Sequence, residues 1–188
     1  MNEHKLYMVL AGCRPPGRNT EQHDVFFGIG KNIKDILPDF FNFWPEAKKK
    51  IHLDAWREVT QVAGCAISIV PHDLFKTSVA NDSKLFFINL GGYKKGEFEE
   101  FHYKMIIAAA NKDLAIQQAK QSAFYRHTGF NTAPAHIDDK FGIDVDDIFE
   151  IKDILPTGIK NKYHLVITAS TNTHQDILHL GYMPLNKL

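Results

Sequence analysis

Two short runs carry the residues best suited to chemistry. Glu21 and His23 stand in "TEQHDVFFGIG", residues 20–30, and Glu100 and His102 stand in "EEFHYKMIIAA", residues 99–109. In a strand, residues i and i+2 share a face, so each Glu-x-His pair points to one side. A carboxylate beside an imidazole can ligate a divalent metal, or act as a base with its orienting carboxylate. Two such pairs brought face to face about a pseudo-twofold axis would pool four ligands. The pattern is short, however, and the H-E-x-x-H helix that marks zinc proteases is absent. The plainer expectation is that His23 and His102 hydrogen-bond within their own units, to a loop carbonyl or the neighbouring glutamate, and recur because the fold recurs.

Other residues offer weaker chemistry. Arg14 and Arg18 flank a Pro-Pro-Gly turn, where a cationic loop can hold a carboxylate or phosphate, although such charges are usually just solvated. In "HLDAWREV", residues 52–59, strict alternation puts His52, Asp54, Trp56 and Glu58 on one face, a candidate ligand wall or simply the polar side of a half-buried strand. "GIGKN" lacks the full phosphate-loop pattern. The acidic residues Asp138, Asp139, Asp144, Asp146, Asp147 and Glu150 fail the EF-hand test, since position six from Asp144 is Phe149 and position twelve is Leu155. A solvated acidic loop is expected there. His127 needs no role beyond a helix-end dipole contact.

The elements that must position these residues are written twice. "KLYMVLAGCRPPG", residues 5–17, lies without gaps on "KLFFINLGGYKKG", residues 84–96, and the same register puts Glu21 on Glu100 and His23 on His102. "HLDAWREV" lies loosely on "GIDVDDIF", residues 142–149, and "CAISIVP" on "YHLVITA". "ILHLGY", residues 177–182, resembles "FINLGGY".

Each unit reads as strand, strand, helix, strand, strand. The predicted class is α+β, two tandem pseudo-repeats with mainly antiparallel sheet and one long helix per unit, over 1–83 and 84–188, with strand 85–91 able to serve both units. The apolar second strands, 25–29 and 103–108, are expected mid-sheet. Spacings of three and four from Ile33 to Trp44 predict a helix that Pro38 kinks or restarts. Asn111 is a candidate N-cap for a helix with an Ala115, Ala119, Ala123 stripe and Gly129 beyond its end.

Composition narrows the classes. Lys plus Arg and Asp plus Glu are both 22, so the net charge is zero and the basic footprint of a general nucleic-acid binder is missing. Cys13 and Cys65 are too few for a disulfide framework and lack metal-site spacing. "LAGC", residues 10–13, matches a lipobox, but the apolar run before it is about five residues against the ~7–15 of a signal core. A cytoplasmic protein without membrane partners is expected.

These residues also resemble a known family. "LYMVLAGCRPPGRNTEQHDVFFGIG", "HLDAWREV", "LFFINLGGYKKGEFEEFHYKM" and "HIDDKFGIDVDDI" are similar to a bacterial domain-of-unknown-function family, number 1543, found in one or two copies per chain. The resemblance implies the duplication and brings no activity, substrate or cofactor.

No nucleophile, base and orienter can be assembled from the sequence. The leading expectation is therefore a non-catalytic module that binds a small molecule or a protein, with homo-oligomers permitted. The alternative is a small-molecule or metal-dependent enzyme carried by Glu21, His23, Glu100 and His102 where the repeats meet. Candidate ligand-binding residues are Arg14, Arg18, Glu21, His23, Asp54, Trp56, Glu100 and His102. The sequence identifies no cofactor and does not decide whether the protein is an enzyme.

Overall fold

The computed structural model describes residues 3–47, 50–75, 82–93, 96–121, 144–172 and 174–185. The fold is α+β with mainly antiparallel sheet, and the chain divides into two compact units, 1–79 with 154–188, and 80–153.

In the first unit, β1 (Lys5–Cys13) pairs antiparallel with β2 (Gln22–Gly30) on one side and β3 (His52–Val59) on the other. A second sheet joins β4 (Gln61–Val62), β5 (Cys65–Pro71) and β9 (Tyr163–Ala169), and β10 (His179–Met183) completes the first by pairing with β3. Alternate residues of β1, namely Tyr7, Val9, Ala11 and Cys13, are buried against Phe26, Ile36, Phe40, Ala47, Ile51 and Leu53. The helical layer over this face begins at Asn32, whose side chain accepts a bond from the Lys34 amide while the Asp35 carboxylate accepts one from the Asn32 amide. The single 3-10 turn that follows runs into α1 (Leu37–Phe43), with Pro38 in its first turn. This is the restart expected of a proline, because first-turn amides have no helical acceptor to lose.

In the second unit, β6 (Lys84–Tyr93) pairs antiparallel with β7 (Glu100–Ala109) and β8 (Asp144–Glu150). The cap predicted for α2 (Lys112–Lys120) is present, the Leu114 amide donating to Asn111 Oδ1 at 2.9 Å. Ala115 and Ala119, both 0% exposed, let α2 lie close on Phe86, Ile88, Leu90 and Ile107. Ala123, His127, Gly129, Asp138 and Asp139 lie outside the described residues.

Several expectations change. Among the described residues the helices are short, seven residues in α1 and nine in α2, where one long helix per unit was expected. The boundaries 1–83 and 84–188 differ from the compact units because β9 and β10 hydrogen-bond to β5 and β3. β2 and β7 are end strands of the described sheets, and β1 and β6 are central. The apolar run in β2 reflects cover on both faces, since neighbouring Val25, Phe26 and Phe27 are all buried. The acidic stretch 144–150 is strand β8 and not a loop, because Val145 and Ile148 pack on the core.

Candidate functional site

The polar residues converge through strand register. On β1, Gly12 lies opposite His23 of β2 and His52 of β3, so the two histidines flank a residue with no side chain. Residues directly opposite share a sheet face. Between Leu10, opposite Ala55, and Ala11, opposite Leu53, the register skips Asp54, which therefore occupies a β-bulge. A bulge adds one residue to one strand and re-aims its side chain. Asp54 consequently turns onto the face of Gly12. Its Oδ2 lies 3.2 Å from His23 Nε2, and its Oδ1 lies 3.4 Å from His52 Nε2, which is itself 2.9 Å from Glu21 Oε1.

The second unit repeats the arrangement in detail. Gly91 of β6 lies opposite His102 of β7 and Asp144 of β8, and the register between Asn89 and Leu90 skips Asp146. Asp146 Oδ2 reaches His102 Nε2 at 3.1 Å, and Glu100, His102 and Asp146 offer ligand atoms all within 4.8 Å of one another. Both glycines are required by this geometry. A Cβ on Gly91 would meet Asp146 Oδ2 at 2.6 Å, and one on Gly12 would collide with Asp54 Oδ2 and meet His52 Nε2 at 2.5 Å.

His23 and His102 thus pair within their own units, but with an aspartate of the third strand in place of a loop carbonyl or the adjacent glutamate. Their side chains are 43% and 37% exposed, so they are not satisfied core histidines. His52 is the enclosed one, at 12%. Its Nδ1 lies 3.4 Å from the Lys50 carbonyl oxygen, and its ring lies 4.6 Å from that of Tyr182. His52 Nε2 and Asp54 Oδ2 are buried atoms that make no well-directed hydrogen bond, although Glu21 and His23 lie close to them.

The bulge also overturns the expected wall of His52, Asp54, Trp56 and Glu58. One extra residue inverts all later side chains. His52 and Asp54 keep the Gly12 face, whereas Trp56 and Glu58 pass to the other, opposite Val9 and Tyr7. Trp56 packs on the core and stacks on His179, with centroids 3.8 Å apart and planes 5° apart. The Tyr7 hydroxyl donates to Glu58 Oε1 at 3.3 Å, and burial, reinforced by that carboxylate, pushes the phenol far above its usual range.

Arg14 and Arg18 stay on their turn. Arg14 Nε donates to the Arg18 carbonyl oxygen at 3.2 Å, and Gly17 supplies the φ of +78° that the turn needs. Arg18 lines a small depression with Pro15, Pro16, Gln22, Trp44 and Glu46. Burial pushes the Cys13 thiol up, which suits a packing residue and not a nucleophile.

A larger groove of about 1130 Å³ opens in the first unit, lined by Leu37, Phe41, Trp44, Ile51, Tyr182 and Pro184 along its apolar part, with Asn42, Lys50 and His52 as its polar and charged members. The sequence missed the groove, Gly12, Gly91 and the part played by Asp146. A signal for the glycines was available, since Gly12 and Gly91 occupy the same place in the ungapped match of residues 5–17 with 84–96. By strand register, Asp144 and not Gly142 holds the place of His52.

Comparison with known proteins is consistent with this description. Residues 18–69 match the model of DUF1543, a domain of unknown function, and that single match spans β2, β3 and most of β5. It supports the family resemblance for one copy. The crystal structure of protein Il1583 from Idiomarina loihiensis is similar over 97% of this chain and 98% of that chain, with a TM-score of 0.60 and 21% identity, a likeness of fold alone. A search of curated proteins found no match. Among the described residues, no helix is long and apolar enough to cross a membrane.

Proposed function

We propose that this protein is a cytoplasmic, non-catalytic binding module made of two related units, and that its first unit binds a small molecule with a flat apolar body and an anionic group. The kinship of the units is supported by their registers. The glycine, the histidine opposite it and the bulged aspartate recur, as does a lysine to glutamate pair at the strand ends, Lys5 with Glu58 at 2.6 Å and Lys84 with Glu150 at 2.8 Å.

The observation that carries the binding role is the double position of His52. Its ring lines the apolar groove beside Tyr182, while its two nitrogens face Glu21 Oε1 and the Lys50 carbonyl oxygen. A ring held in this way offers the groove a stacking face. With both nitrogens turned to protein oxygens, it is poorly placed to take a proton from a ligand in the groove, which disfavours the general-base reading. The groove matches the few-hundred to ~1,000 Å³ range of small-molecule sites, mostly apolar with a few polar groups. Lys50 supplies the cation for an acidic group on the ligand.

The test uses 8-anilino-1-naphthalenesulfonate, an aromatic sulfonate, as the probe. Saturable fluorescence enhancement is expected, weakened by Phe41→Asp and by Lys50→Ala. Phe41 is 42% exposed, so its substitution leaves the core intact. Probe binding that neither variant weakens would refute the assignment.

A further inference from the structure

We infer that the second unit holds one first-row divalent transition-metal ion between Glu100, His102 and Asp146. The inference is independent of the groove, which belongs wholly to the first unit.

Glu100 and His102 are i and i+2 on β7, so strand geometry puts both on the face of Gly91. Asp146 reaches the same face only because the bulge in β8 turns it there. The missing Cβ of Gly91 leaves the space its carboxylate occupies. Three separate local features therefore aim three ligands at one point. The 3.1 Å between His102 Nε2 and Asp146 Oδ2 is near the ~3.4 Å edge expected between ligands 2.0–2.2 Å from a tetrahedral ion. One imidazole with two carboxylates suits a first-row transition ion better than magnesium or calcium, which take oxygen ligands. All three side chains are partly solvent-accessible, leaving an entry path and open coordination positions.

Residue make-up separates this cluster from its counterpart in the first unit. There, Glu21 and Asp54 meet two histidines, His23 and His52. In the second unit, strand register replaces His52 by Asp144, and Glu100 and Asp146 face a single histidine.

The test titrates cobalt(II) into the full chain, following its visible d–d absorption, with zinc added afterwards as competitor. One equivalent of cobalt is expected, displaced by zinc. Binding should be lost in His102→Ala and in Asp146→Asn, and retained in His23→Ala and Asp54→Asn. Circular dichroism checks folding, and Glu100→Gln, at a partly exposed position, provides a further variant should either of the first two unfold; it should weaken cobalt binding at least tenfold. Absence of cobalt binding by the wild-type chain, binding unchanged in folded ligand variants, or an equivalent removed by His23→Ala or Asp54→Asn would each overturn the inference.

Discussion

Replacing Gly12 by alanine tests whether a bare backbone position organises the first polar cluster. The backbone of Gly12 is not among the positive-φ glycines, so a strand at this point accepts a side chain without backbone strain. Alanine should even gain ~0.5–1 kcal/mol over glycine from backbone entropy alone. Opposing this, the new Cβ collides with Asp54 Oδ2 and lies 2.5 Å from His52 Nε2. Overpacking of this kind costs ~1–3 kcal/mol, with the low end apt because both atoms are side-chain tips that can swing away. Displacing them also breaks the His23 to Asp54 and His52 to Asp54 contacts, which contribute ~0–1 kcal/mol each. The net expectation is destabilisation of about 1 kcal/mol, a fall in Tm of roughly 3 °C for a chain of this size. Trp44 and Trp56 both lie in the first unit, so tryptophan fluorescence during urea unfolding reports on it selectively. The decisive measurement is the double-mutant cycle. In an Asp54→Ala background the main collision is gone, and Gly12→Ala should be neutral or stabilising, giving a coupling of about 1–2 kcal/mol. Equal destabilisation in both backgrounds would refute the reasoning, because the cost would then not arise at Asp54.

Three further outcomes follow from other contacts. Asp176 accepts bonds from the Thr60 amide at 3.1 Å, the Thr60 hydroxyl at 2.5 Å and the Gln61 amide at 3.4 Å, so Asp176→Ala should cost ~1–3 kcal/mol by leaving partly buried donors unpaired, and should speed proteolysis after residue 170. Ala115→Leu should cost ~1–3 kcal/mol in thermal or urea unfolding, because a 0% exposed position between α2 and its sheet has no room for the added carbons. Tyr7 has a folded-state pKa raised by burial and by Glu58, so its stabilisation is complete below the unfolded-state value of about 10 and is lost as pH rises beyond it. Alkaline unfolding should therefore be shallower in Tyr7→Phe, and tyrosinate absorbance from Tyr7 should appear only as the chain unfolds.

What was legible in the sequence, and what was not, divides along a physical line. Asn111 and Pro38 could be read correctly because caps and first-turn prolines are decided by groups within four residues of each other. Glu21, His23, Asp54, Glu100 and His102 stand out in the sequence as candidates through residue type and strand periodicity. Their partners could not be read. The aspartate that meets each histidine comes from a distant strand, and it arrives through one extra residue that a strict period of two treats as an error. That residue sent Trp56 to the core and kept Asp54 with His52, reversing half of the face drawn from alternation. Gly12 and Gly91 were legible only as matching places in the ungapped repeat, although each keeps clear the space in which an aspartate meets a histidine. Such a bulge weakens strand pairing locally, and a glycine in a central strand costs entropy. Neither feature benefits packing where it sits. Both bring acidic and imidazole groups together at a partly exposed surface, which is the physical reason to look for a ligand there.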